Sequence, residues 1–179
     1  MNNKVLYSIV FAILLFSCEE KVRKQISSDT NTTQYSSNVE GFKNLLEEED
    51  SLIRNYIQEH NLEMKKTDTG LFYHVEPSGM NNKFPIGTFM ELDYEIHRLN
   101  GDLIYSSAQD DQMKVALHKD HSIKGLVEGI ELMKLGKKAC FIIPSHLAYG
   151  LSGDMQKIKV SEVLIYNIEI KTINNQKIK

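Results

Sequence analysis

The hydrophobic residues of this chain keep two different periods, and the change between them, near Lys65, constrains the fold more than any other feature. Upstream, Phe42, Leu45, Leu46, Leu52, Ile53, Tyr56 and Ile57 recur at helical spacing while Glu47, Glu48, Asp50 and Arg54 face elsewhere. Ser37-Asn-Val-Glu40 has the spacing of a capping box, so the pattern predicts an amphipathic helix of about 20 residues ending near Asn61. Downstream, Leu71 and Tyr73 alternate with polar neighbours. Met90, Leu92, Tyr94 and Ile96 alternate with Glu91, Asp93, Glu95 and His97, as strands with one buried face do. Asn100-Gly101 is a favoured hairpin turn, which pairs the strand ending near Arg98 with Asp102–Ser106. Further strands are expected at Met113–Leu117, Lys138–Ile143 and Val163–Thr172. Ile123, Leu126, Val127, Ile130 and Met133 return to helical spacing, with Gly136 as a stop. The order is mostly antiparallel β with one helix on one face, an α+β domain. The connection Pro144–Glu162 is long for a compact domain, and such loops are usually functional.

The first residues are of a different kind. Lys4 precedes the apolar run Val5–Phe16, and Leu15-Phe-Ser-Cys18 follows at once. A dozen apolar residues fall short of the roughly 20 that span a bilayer, so residues 1–17 read as a signal peptide. The Leu-Xaa-small-Cys ending resembles the lipobox of bacterial lipoproteins, which makes Cys18 the acylated mature N-terminus. A chance cysteine after an ordinary signal is the alternative. Acyl chains hold a protein at a membrane by about 0.8 kcal/mol per buried methylene. Residues 18–38 are polar and read as a flexible tether. An amphipathic helical arm (39–64), a compact domain (65–174) and a polar tail (175–179) complete the organisation.

With 41% hydrophobic and 25% charged residues, the chain has the composition of one ordinary globular domain with appendages. With Cys18 acylated, Cys140 has no disulfide partner, so the fold rests on its core. Cys140 lies in Ala139-Cys-Phe-Ile-Ile143 and reads as a buried small hydrophobe. The net charge of −3 becomes −4 without Lys4, and nothing in it attracts nucleic acid. Phosphate loops, Cys-Xaa-Xaa-Cys pairs and zinc-peptidase or hydrolase-elbow motifs are missing. Adjacency of Ser145 and His146 does not make a nucleophile and base. His118, Asp120 and His121 lie in a loop without a further ligand and read as surface groups, and Glu47, Glu48, Glu49 and Asp50 read as a solvated helix face. No metal and no cofactor is expected.

What remains is an apolar and aromatic set, Tyr94, Ile104, Met113, Ile123, Leu126, Tyr149, Ile158 and Tyr166, which on the residues alone is a core list. Five segments place it in a family. Leu92-Asp-Tyr94 resembles the Val-His-Tyr strand of the FKBP-type peptidyl-prolyl isomerases, and Asn100-Gly-Asp-Leu-Ile-Tyr-Ser-Ser107 their Asp-Gly-Xaa-Xaa-Phe-Asp-Ser-Ser segment. Ile123-Lys-Gly-Leu-Val-Glu-Gly129 resembles Ile-Xaa-Gly-Trp-Xaa-Glu-Gly, Met133-Lys-Leu-Gly-Lys137 resembles Met-Xaa-Xaa-Gly-Glu, and Ile143-Pro-Ser-His-Leu-Ala-Tyr-Gly150 resembles Ile-Pro-Xaa-Xaa-Leu-Ala-Tyr-Gly. They occur in the family's order across the whole of residues 65–173. The resemblance implies a five-stranded antiparallel sheet wrapped around one short helix, here preceded by the amphipathic N-terminal helix.

It also implies a proline pocket lined by Tyr94, Ile104, Ile123, Leu126, Tyr149 and Tyr166, with Tyr105, Met113 and Ile158 as further substrate-binding positions. The backbone N–H of Ile123 and the Tyr149 hydroxyl would orient substrate carbonyls. Four positions depart from the family: Tyr105 stands where it has a pocket aspartate, Leu126 where it has tryptophan, Ile104 where it has phenylalanine, and Met113 where it has another aromatic. The Tyr94 hydroxyl then needs a different acceptor, with Asp110 and Asp111 as candidates. Weak or moderate isomerase activity and poor macrolide binding are expected.

The implied partners are Xaa-Pro-containing polypeptides and, through the lipid anchor, a membrane. Lipobox, short arm and domain together are similar to the gliding-motility-associated FKBP lipoproteins of bacteria. Glu19-Glu20 lack the aspartate that marks inner-membrane retention in some bacteria, which favours an outer-membrane site facing the periplasm. The competing reading is a catalytically silent chaperone or binding module of an envelope complex. A monomer is favoured over a dimer formed through the helical arm. Finally, if Leu164, Tyr166 and Ile168 face the short helix, then Val163, Ile165, Cys140 and Ile142 face outward. The apolar stripe of the N-terminal helix, with Leu45, Leu52 and Tyr56, is expected to cover them.

Overall fold

The computed structural model describes residues 38–76, 84–133 and 138–177. The expected signal peptide, Cys18, the tether and Ser37 of the capping box lie outside them, as does Gly136. The chain divides into two units, residues 1–45 and 46–179. Helix α1 runs through residues 38–59, and its residues 46–59 belong to the second unit. It stops where the sequence places the stop. Asn61 turns left-handed (φ 50°), the Leu62 N–H bonds the Ile57 carbonyl at 2.9 Å and the Asn61 N–H bonds that of Gln58 at 3.2 Å, which satisfies the last carbonyls of the helix.

The remaining elements are β1 (Lys65–Lys66), β2 (Phe72–Val75), β3 (Phe89–Arg98), β4 (Leu103–Ser106), β5 (Met113–Ala116), α2 (Lys124–Leu132), β6 (Lys138–Ile143), a 3₁₀ turn (Ser145–Leu147), β7 (Leu164–Ile173) and β8 (Gln176–Lys177). All pairings are antiparallel, in the order β1-β2-β6-β7-β3-β4, with β5 also on β3 and β8 on β7. The sheet therefore has eight strands where five are expected. Two causes account for the difference. β4 and β5 lie along one edge of β3, at Glu95–His97 and Phe89–Leu92, and the edge is split where the chain turns away after Ser106. β1 and β8 are two-residue returns on β2 and β7, too short to carry a period. Helix α2 ends at Leu132, short of Gly136.

Alternation assigns the two faces of the sheet. Leu164, Tyr166, Ile168 and Ile170 of β7 and Ala139, Phe141 and Ile143 of β6 join α2's Leu126 and Ile130 in one core. Gly125 and Gly129 let α2 approach. A Cβ on Gly129 would lie 2.6 Å from the Phe141 ring, and one on Gly125 would strike Ile143.

The other face carries Phe72, Ile142, Val163 and Ile165, with Cys140 beside them, and α1 covers it with Ile53, which is fully buried. Burying such a side chain contributes about 1.5–3 kcal/mol. Tyr56 and Ile57 flank it, whereas Leu52 and Phe42 are exposed. The helix thus turns Ile53 rather than Leu52 to the sheet, one position along the stripe. Polar contacts fix that angle. Asp50 accepts from Arg54 at 2.7 Å and from Lys66 of β1 at 2.6 Å, and both cations lie over the Phe72 ring, at 5.5 and 5.3 Å. Burial alone would raise the Asp50 carboxyl, but these two partners hold it below the usual carboxylate range. Glu49 departs from the solvated face expected of it and is 3% exposed.

Candidate functional site

Every candidate lies in the cluster around α2. Ile104, Leu126, Ile158 and Tyr166 are buried in it, and Tyr94, Tyr105, Met113, Ile123 and Tyr149 pack against it half-buried. The elements explain the split. β4 alternates, so Ile104 goes in while Leu103 stays out. Tyr94 sits where β3 meets the split edge: its N–H donates to Ser107 Oγ at 3.1 Å and its carbonyl accepts the Ser107 N–H at 3.0 Å. Met113 pairs with Leu92 across β5 and β3. Ile123 is the extended N-cap of α2 (φ −62°, ψ 144°), and its carbonyl accepts from Leu126 and Val127. Its own N–H is among the donors that a helix leaves free at its N-terminus.

Three phenols meet here. Burial pushes the Tyr166 hydroxyl well above its ordinary pKa, helped by the charge and hydrogen bond of Tyr149 and by Tyr94 and Asp154. Burial likewise raises Tyr94, followed by the nearby Asp110, Tyr149 and Asp111, so the carboxylates expected near it are within electrostatic reach. The Tyr94 and Tyr166 hydroxyls stay protonated at neutral pH and can donate hydrogen bonds.

The long connection is pinned against the site by contacts that no local pattern announces. The Tyr105 hydroxyl donates to Asp154 Oδ2 at 2.5 Å, and Asp154 Oδ1 accepts the N–H groups of Gln156 and Ile158, both at 2.8 Å. Burial would raise the Asp154 carboxyl, but these donors together hold it below the usual range. Burial and the bond to Asp154 push Tyr105 up to about 12. The Lys157 ammonium lies 4.5 Å from the centre of the Tyr105 ring and donates to the Ile104 carbonyl at 3.1 Å. Arg98 bonds the Lys157 carbonyl at 2.6 Å and Glu162 at 2.7 Å. The Asp-Xaa-Gln spacing is an Asx-turn signal for Asp154. Its partner Tyr105, 49 residues away, carries none.

Other sequence features are used elsewhere. His146 Nε2 pairs with the Thr69 carbonyl at 3.0 Å, His118 with Glu131 at 2.8 Å, and the Asp120 oxygens take the N–H groups of Ala116 and Ser122. Cys140 sits against the outer cluster, and burial pushes its thiol up to about 11. Open clefts of about 490 and 560 Å³ lie apart from Tyr149 and Tyr166; Tyr94 borders the first, beside Asp93, Glu95 and Glu169, and His74 and Glu76 line both. The candidates gather instead in and against the apolar cluster that Leu126 of α2 joins, with Tyr94, Tyr105 and Tyr149 half-buried at its edge.

Known proteins share this architecture. The crystal structure of FkpA from Escherichia coli superposes with a TM-score of 0.61 at 21% identity, covering 85% of this chain and 71% of that one. A Pseudomonas syringae peptidyl-prolyl cis-trans isomerase superposes with a TM-score of 0.57 at 22% identity, covering 73% and 94%. In sequence, a Haemophilus influenzae protein named "Probable FKBP-type peptidyl-prolyl cis-trans isomerase" is 31% identical over 112 residues, 63% of this chain and 46% of that protein. The FKBP-type isomerase FkpA of Aeromonas hydrophila is 28% identical over 155 residues, 86% of this chain and 56% of that one. The chain spans about half the length of these curated relatives. The family model for FKBP-type peptidyl-prolyl cis-trans isomerases matches residues 81–171. With the fold, the ordered motifs and this match in agreement, the chain belongs to the FKBP-type peptidyl-prolyl cis-trans isomerase family.

Proposed function

We propose that this chain is a peptidyl-prolyl cis-trans isomerase acting on Xaa-Pro bonds of other polypeptides. The carrying observation is the convergence of Tyr94, Tyr149 and Tyr166 with Ile104, Ile123 and Leu126 on one apolar wall. Rotation about the prolyl bond must cross about 18–20 kcal/mol because the planar amide loses resonance. The planar amide is the more charge-separated species, so a dry apolar wall disfavours it relative to the twisted form. Each 1.4 kcal/mol gained this way is tenfold in rate. The Ile123 N–H and the Tyr149 hydroxyl hold the flanking carbonyls, and the site asks for no acid, base or nucleophile.

Cis–trans exchange of a Leu-Pro peptide, followed by NMR, tests this. Acceleration by the full chain, lost in a Tyr94→Ala/Tyr149→Ala double variant that remains folded, is the expected result. No acceleration by the folded parent rejects it. A second reading, a chain-binding chaperone with little catalysis, is favoured by Leu151, Met155 and Val160, which project 71%, 90% and 61% exposed from the long connection. Suppression of client aggregation without faster exchange would identify that case.

The anchor belongs to the same reading. The lipobox-like Leu15-Phe-Ser-Cys18 supports acylation of Cys18, attachment to the cell envelope at the periplasmic face of the outer membrane, and clients in a secretion or gliding-motility apparatus. Incorporation of labelled palmitate that Cys18→Ser abolishes is the expected result. The use of Ile53, Tyr56 and Ile57 within one chain supports a monomer over a dimer through the arm.

A further inference from the structure

Glu49 is an anomaly of α1. It is the sole charged residue among the buried polar side chains of the described residues, and its hydrogen bond goes to a backbone N–H rather than to a cationic side chain. Burying a carboxylate is costly unless its oxygens are bonded. One of them is: Oε2 accepts the N–H of Ser145 at 2.8 Å, across 96 residues of sequence. The other, Oε1, is buried without a hydrogen-bond partner. Packing alone does not call for an acid here, since Ile53, one turn further along, closes the same face without one.

The identity of the gripped group supplies a reason. Ser145 opens the 3₁₀ turn, where the backbone N–H groups lack partners within the turn. Its own carbonyl accepts two further bonds, from Ala148 N–H at 2.9 Å and from Gly150 N–H at 2.8 Å. Tyr149 therefore hangs between two residues that are both tied to Ser145. The same turn packs on α2, whose Leu126 joins the cluster of the site, because a Cβ at Gly125 would meet the Leu147 Cβ and carbonyl at 3.3 Å. Through Gly150, whose carbonyl accepts the Ser161 N–H at 2.8 Å, it also fixes the root of the long connection.

We propose that Glu49 is a positioning residue for the isomerase site: the N-terminal helix holds the Tyr149 hydroxyl in register by gripping the backbone N–H of Ser145. This rests on the isomerase reading for its catalytic consequence, though not for its structural one. The helix is then a working part of the site, reaching it from the opposite face of the sheet.

The test compares Glu49→Ala with Ile53→Ala in the full chain, at a temperature where both are folded. Glu49→Ala is expected to lower kcat/KM for a Leu-Pro peptide about tenfold and to shift the Tyr149 ring resonances. Ile53→Ala loosens the same helix without touching Ser145 and is expected to leave both unchanged. Glu49→Gln, which keeps an acceptor oxygen, should restore most of the rate. A folded Glu49→Ala protein with parental kinetics and parental Tyr149 resonances overturns the proposal. If the parent itself accelerates nothing, the isomerase reading fails separately, and the Tyr149 resonances still decide the positioning claim. Should Glu49→Ala fail to fold, Glu49→Asp, whose carboxylate falls one methylene short of Ser145, decides it the same way.

Discussion

The two faces of the sheet are built from the same kinds of residues and end in different states. On the outer face, Ile53, Phe72, Ile142, Val163 and Ile165 close on one another, with Tyr56, Ile57, Met64, Leu99 and Cys140 partly buried around them. On the inner face, α2 covers a larger set, yet Tyr94, Tyr105, Met113, Ile123 and Tyr149 remain half-exposed at its edge. Apolarity does not separate the faces, since β7 alone feeds both, with Tyr166 and Ile168 one way and Ile165 the other. The edge does: Tyr56 is the one phenol beside the outer cluster, whereas Tyr73, Tyr94, Tyr105 and Tyr149 stand half-buried beside the inner one. An apolar surface edged with several hydroxyls is suited to a ligand that is part apolar and part hydrogen-bonding.

The sharpest way to break this contrast is a matched pair of truncations. Ile53→Ala and Leu126→Ala should each lower the unfolding free energy in urea by about 2–5 kcal/mol. Only Leu126→Ala should also lower kcat/KM, by about tenfold or more. Equal kinetic losses from both would erase the distinction between the faces. A smaller effect is expected at the pinned connection. Asp154→Asn removes a carboxylate that accepts three hydrogen bonds, and should cost about 1–2 kcal/mol while raising KM more than it lowers kcat. A fall in kcat alone would mean that the loop serves chemistry rather than binding.

The same pair sets a pH window. Asp154 is depressed when folded, so the stability it contributes is present above the ordinary carboxylate value, about 4, and is lost as the pH falls through its lower folded value. Tyr105 is raised to about 12, so its contribution is complete below about 10 and is lost as the pH climbs from there towards 12. Urea midpoints should be flat between those limits and drop outside them, and Asp154→Asn should remove the acid drop and only weaken the alkaline one, since burial of Tyr105 remains. The smallest effect concerns the outer face. With its thiol pushed up to about 11, Cys140 should alkylate at pH 8 about 100-fold more slowly than a free thiol. Rapid labelling of the folded protein would show that burial does not hold the thiol up.

How much of this could be read in advance follows from how each feature is encoded. β3, β6 and β7 announce themselves by period two, α1 by its stripe and its Asn61 end, and the apolar wall by motifs strung in order along the chain. β4 and β5 are legible as Asp102–Ser106 and Met113–Leu117, but the return of β5 to the edge of β3 that β4 occupies is not, because the turn after Ser106 contains no glycine or proline to mark it. β1 and β8 were too short for any period. The polar contacts were the least legible. Tyr105 meets Asp154 and Glu49 meets Ser145 only after the sheet has brought distant segments together, and Glu49 sits in an acidic run whose other members suggest solvent. A one-residue rotation of α1, which favours Ile53 over Leu52, decides which of those acids goes inside.

The docking of α1 on β6 and β7 also has a consequence in time. The helix leaves the ribosome before the strands it docks on: the N–H that Glu49 grips is made 96 residues later, and the apolar surface is complete only when β7 has been made. At synthesis rates of about 5–20 residues per second, Ile53 waits roughly 5–20 s for its pocket to exist. During that interval the helix is an amphipathic segment with its apolar side uncovered, open to a chaperone or a membrane surface.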